Sequence, residues 1–231
     1  MKVDIGVIGA MQSEVEGLVS IRDGVKCEKV GSVTFYVGQL FGKRVAVTQC
    51  GIGKVFAAIA AEALILTYSP DLLVNTGVGG ALAQGLKTTD VVVADRLCQH
   101  DMDTSALGDP QGLVSGINKI FFDCDKKAVD IIMQAAREKG INAIVGTVAT
   151  GDKFVASKGD KERIVSAFSA SACEMEGCSV AQVAFVNKTP FAVIRAISDS
   201  ADGEATMDYP TFMPIAAKIS TALTTALIEK Y

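Results

Sequence analysis

The sequence predicts a single α/β domain of three layers, α/β/α, around a central mixed, twisted β-sheet. Three observations carry this expectation. Short, nearly continuous aliphatic runs such as DLLVN (71–75), DVVVA (90–94) and FAVIRAI (191–197) suit strands buried on both faces. Segments of helical length separate them, and such alternation builds a sheet covered by helices on both sides. No proline- or glycine-rich linker and no internal repeat divides the 231 residues, so one domain over 1–231 is expected.

The elements follow in order. Val3 to Ile8 reads as a buried strand ending at Gly9, and Met11 to about Ser20 as a helix with Met11, Val15 and Leu18 on one stripe. Phe35–Leu40 and Arg44–Thr48 are strand-like around a turn at Phe41-Gly42-Lys43. Gly53 to Tyr68 is an alanine-rich helix that stops before Pro70. Asp71 to Asn75 is a strand running into a glycine-rich turn at 76–80, and Asp90 to Ala94 is another strand. Lys126 to Lys139 is a helix closed by Gly140, followed by a strand from Asn142 to Ala149. Ala172 to Met175 is a short strand feeding a helix that begins near Glu176. Phe191 to Ile197 is a buried strand, and Thr211 to Lys230 the closing helix. The stretch 103–118, rich in Gly, Ser, Asp and Pro, reads as a long functional or interface loop.

Composition narrows the function. Apolar residues make up 49% and charged residues 21%, enough for a sizeable core. A net charge of -4 with scattered acids argues against a nucleic-acid partner, which calls for a basic stripe. No run of about 18 uncharged apolar residues occurs, so no membrane span is expected. Asp4 stands where a signal peptide needs an apolar stretch, so a cytoplasmic protein is expected. Six cysteines (27, 50, 98, 124, 173, 178) contain no CxxC pair and are expected to be buried free thiols. With His100 the single histidine, no metal site is expected, and His100-Asp101 suits a loop hydrogen-bond network.

In α/β sheets ligands gather at strand ends. The first strand is followed by Gly9-Ala10-Met11-Gln12-Ser13-Glu14, and the strand at 142–149 by Gly151-Asp152-Lys153-Phe154. The strand at 172–175 delivers Glu174-Met175-Glu176, and that at 191–197 delivers Ser198-Asp199. Acids, glycine amides and one aromatic, without a basic cluster, suit a neutral polar ligand such as a nucleoside. Glu14 lies at the edge of its helix's apolar stripe, while Glu16 points to solvent; a first-turn acid also complements the helix dipole. Glu174 and Glu176 flank Met175, and spacing does not say which enters the site and which caps a helix. Arg195, inside a buried strand, needs an acidic partner, structural or orienting. Met175 and Phe154, taken alone, suit core positions, and Asp202 suits a loop or a cap. Gly77-Val78-Gly79-Gly80 lacks the third glycine of a dinucleotide fingerprint, and no phosphate-loop motif occurs.

The segments IGVIGAMQSEV, CGIGKVFAAIAAE, NTGVGG, ATGDKF, CEMEG and VIRAISDSAD, in that order, resemble the 5′-methylthioadenosine/S-adenosylhomocysteine nucleosidases of the nucleoside phosphorylase superfamily. The resemblance covers nearly the whole chain. It implies the nucleoside phosphorylase-like fold, no cofactor, no metal, a small adenosine-derived substrate, and a homodimer. It implies hydrolysis of the N-glycosidic bond, releasing adenine and a 5-thioribose. Glu14 would then activate water, Asp199 would protonate the purine at N7, and Glu176 would bind the ribose hydroxyls with Met175 against the sugar. Phe154 would stack on adenine, and the Val155 backbone would bond its edge. Ala10, Met11 and Ile52 would line the sugar side, Ser198 would position Asp199, and Arg195 would sit near the water and carboxylates. Tyr209 would supply an aromatic wall, and Leu107 and Asp109 stand where the family often carries aromatics that reach the neighbouring subunit's 5′ pocket. Val78 and Gly79 stand where the family often has serine and alanine. Protonating the purine calls for restricted solvent at Asp199, which would raise its pKa.

Two rivals are weighed. A phosphorolytic relative needs arginines for phosphate, yet no arginine precedes Arg22 and an acid occupies the place. A non-catalytic binding protein would not need all three of Glu14, Glu176 and Asp199.

Overall fold

The computed structural model describes residues 2–20, 23–201 and 205–231, and of 205–208 the backbone alone. The chain opens with β1 (Ile5–Gly9), α1 (Gln12–Ser20), β2 (Asp23–Val30), β3 (Val33–Leu40) and β4 (Lys43–Gln49). Next come α2 (Lys54–Tyr68), β5 (Leu72–Ala81), β6 (Val91–Gln99), β7 (Phe122–Asp123), α3 (Lys126–Glu138) and β8 (Ala143–Thr150). The last elements are α4 (Lys158–Phe168), β9 (Ala172–Glu174), α5 (Gly177–Val186), β10 (Phe191–Asp199) and α6 (Ala205–Lys230).

One mixed sheet holds the strands. β2, β3 and β4 form an antiparallel edge, β4, β1 and β5 run parallel, and β10 lies parallel along β5. β10 then pairs antiparallel with β6, β6 and β8 run parallel, and β9, beside β8, returns to β5 at Gly80 and Ala81. The sheet therefore closes over five strands at one end and stays open at β2. Closure brings the second half of β5 against the ends of β9 and β10.

Helices cover both faces. On one, Leu64, Tyr68, Val180 and Ala184 of α2 and α5 pack with Phe35 and Leu73. On the other, Leu18, Ile132, Leu223 and Leu227 of α1, α3 and α6 pack with Ile5 and Ile194. Burying each such side chain removes apolar surface worth about 1.5–3 kcal/mol. Ala57, Ala60 and Ala61 of α2 are buried in this layer, and a Cβ on Gly6 of β1 would lie 2.4 Å from Leu64, so helix and strand are in close contact. On composition alone Tyr209–Lys230 is apolar enough to cross a bilayer. Here Ala216, Ser220, Leu223 and Thr224 are buried, so it serves as a core helix.

Four features differ from expectation. β2 carries no apolar run because it is an exposed edge strand, and its sequence DGVKCEKV hides it. α4 also escaped the periodicity, since only Ile164 and Phe168 of its eleven residues are buried. Its start is marked by Ser157, whose hydroxyl accepts the Asp160 amide. Residues 76–80 are not a turn: β5 continues to Ala81, and its glycines admit close neighbours on either side. α6 begins at Ala205, ahead of Pro210 and Pro214.

Candidate active site

A cleft of about 440 Å³ opens where the segments after β1, β8, β9 and β10 meet the second half of β5. Ala10, Met11, Glu14, Ile52, Val78, Phe154, Val155, Met175, Glu176, Ser198, Asp199 and Tyr209 all line it. Arg195 and Leu107 do not. Arg195 is 1% exposed and lies behind the lining, while Leu107 is 84% exposed in the 103–118 loop. Glu174, Cys173, Lys153 and the backbone of Gly79 and Gly80 complete the wall.

Glu14 sits in the first turn of α1, 3% exposed. Its Oε2 accepts the amides of Ala10 (2.8 Å) and Met11 (2.9 Å), and its Oε1 accepts that of Val78 (3.0 Å). Three amides from two elements thus fix the carboxylate. A Cβ on Gly77 would lie 2.5 Å from Oε1, so only glycine leaves this space. Burial raises the Glu14 pKa, and the amides and Arg195 oppose that rise. A carboxylate with a raised pKa, held by fixed donors, suits proton abstraction. Glu16 is exposed, as its helical position requires.

The structure resolves the choice between Glu174 and Glu176. Glu174 accepts the amides of Glu176 (2.9 Å) and Gly177 (2.7 Å), and so caps α5. It also pairs with Arg195 and takes the Thr150 hydroxyl. Arg195 in turn donates to the Asn75 side chain and to the Ile194 carbonyl (2.9 Å). Burial pushes the Glu174 pKa up, but the Arg195 charge and these donors outweigh it and hold the carboxylate ionised. Arg195 is therefore both the structural partner of an acid and the cation behind the site. Both line the cleft, but Glu176 has no such cation partner among the described residues: its Oε1 accepts the Gly53 amide at 2.8 Å. Burial first, then the charge of Glu174, raises its pKa to about 7.

Asp199 ends β10, 2% exposed, so the expected restriction of solvent is present. Its Oδ2 accepts the Ser198 hydroxyl (2.9 Å) and its Oδ1 the Ala201 amide (2.9 Å). Gly80 clears room for it, since a Cβ there would lie 2.8 Å from Oδ1. Phe154 and Tyr209 meet edge to face, centroids 5.6 Å apart, forming an aromatic corner above the acids. Asp202 lies outside the described residues.

Sequence reasoning left Glu174 as one of two candidate caps without pairing it to Arg195, and missed Asn75 and Thr150. The signal was available for the pairing: a buried arginine needs an acid, and Glu174 sits at a strand end. His100 joins its loop through the backbone only: its amide donates to Thr150 (2.9 Å), while its buried ring nitrogens have no hydrogen-bond partner among the described residues. The six cysteines are free thiols, but only Cys98, Cys173 and Cys178 are buried; Cys50 and Cys124 are half-buried and Cys27 is exposed.

The sequence profile of the phosphorylase superfamily matches residues 4–229. The chain is 38% identical to the 5′-methylthioadenosine/S-adenosylhomocysteine nucleosidase of Haemophilus influenzae, over 98% of both chains. It is 37% identical to the enzyme of that name from Staphylococcus aureus, over 98% of this chain and 99% of the other. The crystal structure of the Neisseria meningitidis nucleosidase in complex with methylthio-immucillin-A superposes with a TM-score of 0.95 at 35% identity, covering 99% of each chain. The futalosine hydrolase of Helicobacter pylori is also similar, with a TM-score of 0.94 at 35% identity, over 99% of this chain and 98% of that one. Full-length identity at this level, on the same three-layer fold, shows that this chain belongs to the 5′-methylthioadenosine/S-adenosylhomocysteine nucleosidases of the phosphorylase superfamily.

Proposed function

We propose that the protein hydrolyses the N-glycosidic bond of 5′-methylthioadenosine and S-adenosylhomocysteine, releasing adenine and the 5-thioribose product. The observation that carries this is the pairing of a raised, amide-held Glu14 on one wall with a buried Asp199 on another. Adenine leaves poorly until protonated, so Asp199 gives a proton to N7. Glu14 takes a proton from the water that attacks the anomeric carbon. The ribose passes through a cation-like state, which the surrounding carboxylates stabilise. Glu176 receives the ribose hydroxyls, Met175 packs on the sugar, and Phe154 stacks on the base with the Val155 backbone at its edge. Val78 presents its amide to Glu14 but no hydroxyl to the water.

Water rather than phosphate is the acceptor. Lys153 is the one cation of the cleft's described lining, and its ammonium is paired with Asp160 at 2.8 Å. Arg195 is bound to Glu174, so neither guanidinium nor ammonium is free for a phosphate dianion. A second reading, a 5′-modified nucleoside of the futalosine kind, draws on the likeness to the Helicobacter pylori hydrolase. The test is adenine release with methylthioadenosine as the only nucleoside. Turnover supports the reading, and none at saturating substrate contradicts it.

The active species is a homodimer joined through α2. Val55, Phe56, Ile59 and Leu66 form an exposed apolar stripe that starts beside Ile52 at the cleft's rim. Leu107, more exposed still, then reaches the 5′ side of the partner's site. Sedimentation should give a dimer, and Ile59→Glu a monomer with reduced turnover. Free thiols suit a reducing cytoplasm.

A further inference from the structure

The start of α2 reaches the cleft through the Gly53 amide, which donates to Glu176 Oε1 at 2.8 Å. The helix start is poorly fixed by its own sequence. Gly51 and Gly53 both have positive φ (94° and 102°), and Gly53 brings no capping side chain to the helix. The cap comes from another element: Asp152, after β8, accepts the Lys54 amide on Oδ1 at 2.8 Å. Asp152 is fixed in turn. Its own amide donates to Asp101 Oδ2 (2.9 Å), and Asp101 Oδ1 takes the Lys54 ammonium (2.7 Å). The ring of contacts runs Lys54, Asp152, Asp101 and back to Lys54, with the Ser179 hydroxyl on the Lys54 carbonyl at 2.6 Å as a further anchor.

We infer that Asp152 is a positioning residue for Glu176: by capping α2 it holds the Gly53 amide where it orients the carboxylate that binds the ribose hydroxyls. The inference rests on the proposed role of Glu176. Asp152 itself touches no substrate. A lost cap frees the Gly53–Lys54 peptide and, through Gly53 at positive φ, the adjoining Ile52–Gly53 peptide whose amide Glu176 accepts; Glu176 loses its fixed donor, and hydroxyl recognition weakens while the chemistry at N7 and the anomeric carbon is left in place.

The test compares kcat/KM on methylthioadenosine with that on its 2′,3′-dideoxy analogue, which has no hydroxyls for Glu176. Asp152→Ala should lower kcat/KM on the ribonucleoside by roughly tenfold, mainly in KM, and by less than about twofold on the analogue. Asp152→Asn keeps an acceptor oxygen for the Lys54 amide and should restore ribonucleoside turnover to within about threefold of wild type. Equal losses on both substrates, no loss on either, or failure of Asp152→Asn to rescue would overturn the inference. If Asp152→Ala does not fold, Lys54→Met releases the Asp101 arm, and the same substrate-dependent loss is expected. Glu176→Gln separates the two claims. If it costs the same on both substrates, the role of Glu176 falls. If it discriminates and Asp152→Ala does not, only the present inference falls.

Discussion

Gly77 offers a way to move Glu14, the proposed general base, without removing it. The residue lies mid-strand in β5, and an alanine Cβ there would stand 2.5 Å from Glu14 Oε1 and 3.0 Å from its carboxyl carbon. Ordinary contact begins at 3.4 Å, so the carboxylate must retreat by about 0.9 Å. That takes Oε1 out of hydrogen-bond range of the Val78 amide, now 3.0 Å away. A base misplaced by about 1 Å costs on the order of 100-fold in rate, or about 2.7 kcal/mol of barrier. The backbone at Gly77 is not in the left-handed region, so Gly77→Ala adds no torsional strain and should fold. Gly159→Ala in α4 is the control, because its Cβ would meet nothing within 4 Å. The assay is steady-state adenine release, with affinity for an uncleaved nucleoside analogue measured alongside. Gly77→Ala should lose kcat while keeping analogue affinity, and Gly159→Ala should lose neither. Folded Gly77→Ala protein with kcat within about threefold of wild type would refute the role given to Glu14.

Three further outcomes are expected. Asp199→Asn should lower kcat by about 10²–10⁴-fold with little change in KM, and near-normal turnover would remove Asp199 as the acid. Glu176, with its pKa raised from 4.5 to about 7, binds its proton more tightly in the native than in the unfolded chain. Its contribution therefore favours the fold below about pH 4.5 and is lost as pH rises toward 7, with a slope of at most about 1.4 kcal/mol per pH unit. Glu176→Gln should flatten that part of the stability profile in denaturant titrations, and an unchanged slope would contradict the assignment. Arg195→Met leaves Glu174 buried without its cation and should cost about 3–5 kcal/mol in unfolding free energy; a variant as stable as wild type would show the pair to be dispensable.

The sequence was most legible where burial on both faces left only one pattern available. The strands 71–75, 90–94 and 191–197 read as continuous aliphatic runs; the observed β10 contains the last, and β5 and β6 take up the first two from Leu72 and Val91, leaving Asp71 and Asp90 outside. β2 and α4 were not legible because each is held at the surface by few apolar residues, so neither period survives in composition. The helical position of Glu14 left a site role and a dipole role both open, and the resemblance to the nucleosidases singled it out. Glu176 could not be separated from Glu174 by spacing, because the deciding partner, Arg195, is 21 positions away from Glu174 and meets it only after the sheet closes. The glycines of β5 misled in the other direction. They look like a turn, but they lie in a strand that must admit Glu14, Cys173 and Asp199 within contact distance.

The most direct measurement follows adenine and the sugar product from methylthioadenosine, with purified enzyme, with and without inorganic phosphate. The account predicts equal adenine release in both and free methylthioribose as the sugar. Release that requires phosphate and yields the sugar 1-phosphate would contradict it, and would leave Glu14 without a water to activate.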